Sequence, residues 1–289
     1  MDKNRHLSYR RGAIPIKKNI DYKLGVHLFR GDRAILEDIK LLKINTAQIF
    51  SGNPRSYRPN NEKLPTFPFS SIFIHAPYVV NIASSDEKVW NLSIKKVKEE
   101  LKIAEEMEWE GVVIHAGSSK KMGKDVAKKN FLKALEKIFE TDGVKRAKLI
   151  MENSAGEGDG WGSTIEDLIS VYEEFPDIYF CLDTCHLFAA GYNLKNERVC
   201  RETFYNFFEK IPQEKLVLIH INDSHFPLGS KRDQHAHVGK GAMGVTAFQN
   251  LLKIETIRRI PLILETPKDS PMADLYNLHI IRKILENSD

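Results

Sequence analysis

Eight short apolar runs recur along the chain, and most of them end on or beside a histidine, aspartate or glutamate. They are KLGVHLF (23–29), TAQIF (46–50), SIFIHA (71–76), GVVIHA (111–116), AKLIME (147–152), IYFCLD (178–183), LVLIHIN (216–222) and IPLILE (260–265). Most are near-continuous in apolar residues rather than alternating, the pattern of parallel strands buried on both faces. Residues 86–109, 125–140, 164–175, 201–210 and 272–286 instead place apolar side chains at helical spacing with charges opposite. Ser163 or Thr164 followed by Glu166 and Asp167 is a helix-start signal. Eight strands mostly alternating with helices predict an α/β fold, a single (β/α)8 TIM barrel with its active site at the C-terminal ends of the strands. A doubly wound open sheet is the alternative, but the chain has neither a GxGxxG nor a GxxxxGK[ST] loop. Two stretches, 51–70 and 222–244, predict long loops, and loops of that length are functional or disordered.

Composition narrows the class. A chain of 289 residues with 42% hydrophobic and 28% charged residues is ordinary for a soluble globular protein that closes one barrel. No apolar stretch approaches the ~20 residues that span a bilayer, and the first residues lack the apolar core of a secretory signal. Three cysteines without a CxxC pair argue for a reducing, intracellular compartment. Cys181 and Cys185 flank Asp183 and read as packing residues. The net charge of +4 is uneven, because residues 1–33 hold nine Lys or Arg against three Asp. We therefore divide the chain into a basic N-terminal extension (1–22) and a barrel domain (23–289). The extension suits a polyanion partner, or else is a solvated flexible tail.

The strand ends carry the chemistry. His75, His115, Glu152, Asp183, His220 and Glu265 lie at or near them, His186 follows Asp183 by three residues, and Asp233 and His235 alternate in the loop after the seventh strand. Nine imidazole and carboxylate groups suit Zn²⁺, with Mn²⁺ or Fe as substitutes. They exceed the needs of one ion, and Glu152 on the central fifth strand is the natural bridge. Several ions together activate a water and neutralise charge on a phosphoryl group. His6, His27, His225, His237 and His279 read as non-ligands, with His27 placed to line the mouth. Glu157 and Asp159 read as a Gly-rich turn, and Trp90, Trp109 and residues 204–208 as core.

With those residues placed, the sequence resembles the endonuclease IV family of apurinic/apyrimidinic (AP) endonucleases from about residue 23 to the end. The elements, in order, are LGVH (24–27), NPRSY (53–57), HAPYVVNIA (75–83), VIHAGS (113–118), ENSAGEG (152–158), LDTCHLFAAGYNL (182–194), HINDSHFPLGSKRDQHAHVGKG (220–241) and LETP (264–267). The resemblance implies a barrel with three zinc ions that cuts the phosphodiester 5′ to an abasic site, leaving a 3′-hydroxyl and a 5′-deoxyribose phosphate, with 3′-end trimming as an additional activity. It implies that His75, His115 and Glu152 hold one zinc. Glu152, Asp183, His220 and Glu265 hold a second, and His186, Asp233 and His235 the third. The attacking water would lie between zincs near Glu152 and Glu265, the two residues it marks as catalytic. Arg55, Tyr78 and Val79 match positions that the family inserts into double-stranded DNA at the lesion, and Lys and Arg near 55–63 and 231–240 would contact phosphates. The family is commonly monomeric and works in the cytoplasm, nucleoid, nucleus or a viral compartment. Three positions depart from its pattern: Ala116 stands where proline is common, Gln234 where arginine is common and His225 where lysine is common. The last two are expected to weaken phosphate binding or shift substrate preference. Two alternatives stand beside this reading. A sugar isomerase or epimerase on the related barrel shares Glu152, Asp183, His220 and Glu265 but does not need the other five ligands. A non-catalytic DNA-binding relative does not need nine intact ones.

Overall fold

The computed structural model describes residues 22–28, 35–58, 63–158 and 160–287. Apart from Tyr22, the expected basic extension lies outside the described residues, as do His6 and Asp159. Each predicted apolar run contains a strand: β1 (Leu24–Leu28), β2 (Thr46–Ile49), β3 (Ile72–His75), β4 (Gly111–His115), β5 (Lys148–Glu152), β6 (Tyr179–Asp183), β7 (Leu216–His220) and, after the short pair β8 (Asp223–Ser224) and β9 (His235–Ala236), β10 (Leu262–Leu264). The eight long strands pair in parallel and close in the order β1-β10-β7-β6-β5-β4-β3-β2. The fold is the expected (β/α)8 barrel.

Alternation along each strand sorts its residues into two faces. Phe73, Val113, Ile150, Cys181, Leu218 and Ile263 point inward and pack as one apolar layer inside the barrel. Two residues further on, at the mouth, stand His75, His115, Glu152, Asp183, His220 and Glu265. The residues between, Ile74, Ile114, Met151, Leu182, Ile219 and Leu264, face the helices and belong to the larger core. A polar ring thus sits on a dry plug, which keeps water from reaching it from below. His27 pairs level with Gln48, and Asp183 with His220. Gln48 pairs with Phe73, His75 with Val113, Glu152 with Cys181 and His220 with Ile263. Those four junctions each step by two residues, the stagger that an eight-stranded barrel needs to close. Gly25 shows how tight the closure is: a Cβ there would lie 1.8 Å from the Thr46 carbonyl oxygen.

Helices α1 (Ile35–Leu42), α2 (Glu87–Glu106), α3 (Lys124–Phe139), α4 (Ile165–Glu174), α5 (Thr184–Ala190), α6 (Glu197–Lys210), α7 (Gly244–Leu252), α8 (Glu255–Arg258) and α9 (Ala273–Glu286) fill the connections. Asp86 accepts from Val89 N–H to start α2, and Thr164 with Asp167 forms a full capping box on α4, as its sequence predicts. The sequence-based helix over 86–109 is too long. Glu108 takes φ 57 and turns the chain, so Trp109 leaves the helix and buries in the core. The 204–208 segment is not uniformly core: Phe204 and Phe207 are buried, while Tyr205 is 68% exposed because it lies one residue off the buried stripe. Trp90 is half-buried, its indole N–H donating to Asn130. Among the described residues no helix is long and apolar enough to cross a membrane.

Candidate metal centre

The mouth brings all nine predicted ligands into one cluster. His75, His115 and Glu152 present atoms within 4.8 Å of one another, as do Glu152, Asp183, His220 and Glu265. Asp183, His186 and His235 form a third such group. Asp233 joins it from the rim, 3.1 Å from His186 Nε2 and 3.5 Å from His235 Nε2. Two carboxylates are therefore shared: Glu152 between the first and second groups, and Asp183 between the second and third. The second sharing was not legible in the sequence. Cys185, read as packing, does bury completely, with its thiol donating to the Gln234 carbonyl, but its sulfur also lies within the same distance of Asp233 and His235.

Local chemistry explains why each imidazole faces as it does. His75 Nδ1 is 2.7 Å from its neighbour's carbonyl at Ala76, His186 Nδ1 is 2.8 Å from the Asn153 carbonyl, and His235 Nδ1 is 3.1 Å from the Glu265 carbonyl. A carbonyl only accepts, so Nδ1 donates in each and Nε2 is left to face the cluster. The carboxylates are held as firmly. Asp183 accepts from His186 N–H at the start of α5 and from Asn222 Nδ2 at 2.6 Å, while Asn153 Oδ1 accepts the Asp183 N–H. Asn222 Oδ1 accepts the Glu265 N–H. Asn153, Asn222 and Gln48 complete the lining of the mouth by hydrogen bonds to Asp183 and Glu265, and motif chemistry passes over them because an amide is not a typical ligand.

Three features test whether the cluster fits cations. First, Glu152 Oε2 lies 3.6 Å from both His75 Nε2 and His115 Nε2. That is too long for a hydrogen bond. A tetrahedral ion with bonds of ~2.0–2.1 Å spaces its ligand atoms by ~3.3–3.4 Å, which the gap nearly matches. Second, Glu152 Oε2 and His235 Nε2 are buried without a hydrogen-bond partner, a costly state unless something else satisfies them. Third, the electrostatics call for positive charge. Burial pushes Glu152 toward protonation, yet His115 and His220 hold it well below the usual carboxylate range. Burial opposes Glu265 in the same way, and the charge on His220 overcomes it. Burial lowers His115, whereas His186 is driven well above the ordinary imidazole value against its burial by Asp183 and Asp233. A donor set of imidazole and carboxylate, half-satisfied and compact, fits zinc-type ions.

Flanking loops shape the rim. The 51–58 and 76–81 loops dock on each other: Tyr78 N–H donates to the Pro54 carbonyl at 2.8 Å, and the Tyr57 hydroxyl donates to the Val79 carbonyl. This docking brings Arg55, Tyr78 and Val79 to one edge. Arg55 is exposed, and Tyr78 is 64% exposed although its ring packs edge-on to Phe50 and His75. Of the other histidines, His27 is buried in the ring itself, His237 pairs with Asp269, and His225 and His279 are exposed. The predicted loop over 222–244 contains the β8–β9 ribbon and is organised by Asp223. Its Oδ2 accepts from Gly239 and Gly241 N–H, and its Oδ1 from Ser224 and Met243 N–H. Asparagine can present oxygen to only one of those pairs. Asp223→Asn should therefore cost about 2–4 kcal/mol of unfolding free energy in urea titration. Unchanged stability would show that the loop orders without it. The departures at His225 and Gln234 are exposed on this ribbon, whereas Ala116 is buried and its carbonyl accepts the Trp161 indole N–H.

Comparison with known proteins agrees with the geometry. The family model for xylose isomerase-like TIM barrels matches residues 67–284. A protein of Sulfurihydrogenibium named probable endonuclease 4 is 34% identical over 268 residues, covering 87% of this chain and 94% of that one. The crystal structure of endonuclease IV from Thermus thermophilus superposes with a TM-score of 0.77 at 30% identity, over 91% of this chain and 99% of that one. A D-tagatose 3-epimerase-like protein superposes with a TM-score of 0.69 at 20% identity, over 91% and 97%. That likeness concerns the fold alone.

Proposed function

This chain belongs to the endonuclease IV family of AP endonucleases, among the xylose isomerase-like TIM barrels, and on that premise we propose that it hydrolyses the phosphodiester 5′ to abasic sites in double-stranded DNA. The products are a 3′-hydroxyl and a 5′-deoxyribose phosphate, and the same centre trims blocked 3′ ends. The observation that carries this reading is the convergence of nine imidazole and carboxylate side chains, two of them, Glu152 and His235, with buried unpartnered atoms, beside a rim that exposes Arg55 and Tyr78. His75, His115 and Glu152 would hold one zinc, Glu152, Asp183, His220 and Glu265 a second, and His186, Asp233 and His235 a third. When bound, these ions supply an activated water and neutralise charge on the phosphoryl group. Glu152 and Glu265 stay ionised against burial, and thus keep their oxygens as acceptors that would orient a water. The apolar plug beneath them limits solvent to the side from which DNA enters.

Recognition of the lesion falls to Arg55, Tyr78 and Val79. An abasic nucleotide has lost its stacking, so extruding it costs less than extruding an intact one. An exposed aromatic ring on a docked loop can fill the gap that remains. Tyr78→Ala should weaken binding to an abasic duplex by about tenfold or more, as expected for a stacked base, and much less for an undamaged duplex. Equal loss on both would remove Tyr78 from lesion reading. The protein acts as a monomer in the compartment that holds the DNA. An isomerase has no use for His75, His115, His186, Asp233 and His235, so the five-residue surplus favours the nuclease.

The deciding experiment is incubation of the protein with a labelled duplex that carries one tetrahydrofuran abasic analogue, beside an undamaged duplex. A single cut 5′ to the analogue, lost on prolonged chelation and restored by Zn²⁺ or Mn²⁺, is the expected result. The analogue cannot undergo β-elimination, so an uncut duplex with metal-loaded protein overturns the proposal.

A further inference from the structure

Gln48 sits fully buried among the mouth residues at the end of β2, level with His27 on β1. Its Nε2 donates to Glu265 Oε1 at 2.6 Å and lies 2.9 Å from His27 Nδ1. Its Oε1 lies 2.9 Å from His220 Nε2. The two ends of an amide are not interchangeable here. An ionised carboxylate only accepts, so the NH₂ end must face Glu265. The oxygen end then faces His220, whose Nε2 must carry a proton to donate to it. The second amide hydrogen is left for His27 Nδ1, which must be the unprotonated nitrogen. One ionised carboxylate thus settles the protonation of two imidazoles through one amide.

His220 is the exception among the mouth histidines with a resolved second partner. His75, His186 and His235 are set by backbone carbonyls and turn Nε2 toward the cluster. His220 turns Nδ1 inward, 3.0 Å from Glu152 Oε1 and 3.2 Å from Glu265 Oε2. No carbonyl fixes that choice. We infer that Gln48 is a positioning residue of the metal centre: it holds His220 as the Nε2–H tautomer, so that Nδ1 is the ligand atom, and pins Glu265 so that Oε2 faces the shared space. The inference rests on the reading above that these residues bind metal. It makes Gln48 a determinant of how tightly the Glu152, Asp183, His220 and Glu265 group holds its ion.

The test has one arm without mutation and one with it. In zinc-loaded protein labelled with ¹⁵N-histidine, long-range ¹H–¹⁵N correlation should show His220 protonated at Nε2 and not at Nδ1; protonation at Nδ1 overturns the inference. Gln48→Met keeps the volume but removes both hydrogen-bonding ends. It should weaken retention of one zinc by roughly 10–100-fold, the usual effect of losing a residue that orients a ligand. It should also lower kcat on the tetrahydrofuran duplex while leaving KM within about twofold, a split that mere loosening of the fold does not produce. Zinc affinity and kcat both within about twofold of the unsubstituted protein would overturn the inference, as would a chain that binds no zinc. If Gln48→Met does not fold, the His220 spectrum still decides. Neither the spectrum nor zinc titration needs DNA cleavage. A chain that holds zinc as expected but does not cut the duplex would sink the proposed activity and leave Gln48's role standing.

Discussion

Glu265→Gln should abolish cleavage of an abasic duplex, by about 10³-fold or more, and leave duplex binding close to unchanged. Glu265 Oε1 is already committed to Gln48, and Oε2 is the oxygen that faces His220 Nδ1. In the variant the carboxamide oxygen would take the Gln48 hydrogen bond. Its NH₂ would then point into the space shared with Glu152 and His220, where a donor repels a cation. The charge lost there is worth several kcal/mol of transition-state stabilisation, and each 1.36 kcal/mol is tenfold in rate. Binding should survive because it depends on phosphate contacts and on the Arg55 and Tyr78 rim, which the substitution does not touch. Single-turnover rates by gel, with anisotropy on the same duplex, separate the two effects. A variant that cuts at the wild-type rate would withdraw Glu265 from the chemistry.

Stripping the metal should cost both activity and fold stability, with a fall of about 10 °C in thermal midpoint. A ligand present at a thousand times its Kd stabilises the native state by about 4 kcal/mol, and each kcal/mol moves the midpoint of a large domain by ~2–4 °C. The sequence of burial explains why so much rests on the ions. Glu152 and Asp183 are both fully buried, Glu265 lies beside them, and the groups that hold Glu152 and Glu265 ionised are imidazoles. Without cations the buried carboxylates are balanced only by protons taken up on imidazoles such as His186 and His220, in a site from which water is largely excluded. Circular dichroism melts with and without chelator, followed by Zn²⁺ or Mn²⁺ readdition, measure the effect. Midpoint and cleavage should return together. A chelated protein that melts at the same temperature and still cuts would remove metal from both roles.

All eight barrel strands are legible in the sequence, because a strand buried on both faces leaves a continuous apolar run that ends abruptly where the chain meets the mouth. The helices are less so. α2 announces itself by a long periodic face, and α4 by its periodic face and the cap Thr164. α1, α5, α7 and α8 are short, and short helices owe their stability to packing rather than to any signal of their own. α5 is the clearest case: its start is Asp183, read from sequence only as a ligand, whose carboxylate also caps the His186 N–H.

By itself, then, the sequence determined the barrel and the nine side chains with metal-binding chemistry, since residue type and position at a strand end are local properties. The tertiary structure decided how those nine are arranged: that Asp183 serves two groups, that His220 turns Nδ1 inward where His75, His186 and His235 turn Nε2, and that Asp223 ties together the loop that carries Asp233 and His235. The Gln48 bonds to His220 and Glu265 join residues 172 and 217 positions apart. Contacts of that span leave no periodic trace along a chain. They exist only after the barrel closes and brings the ends of β2, β7 and β10 to one mouth, where each buried donor must find the acceptor that closure places beside it.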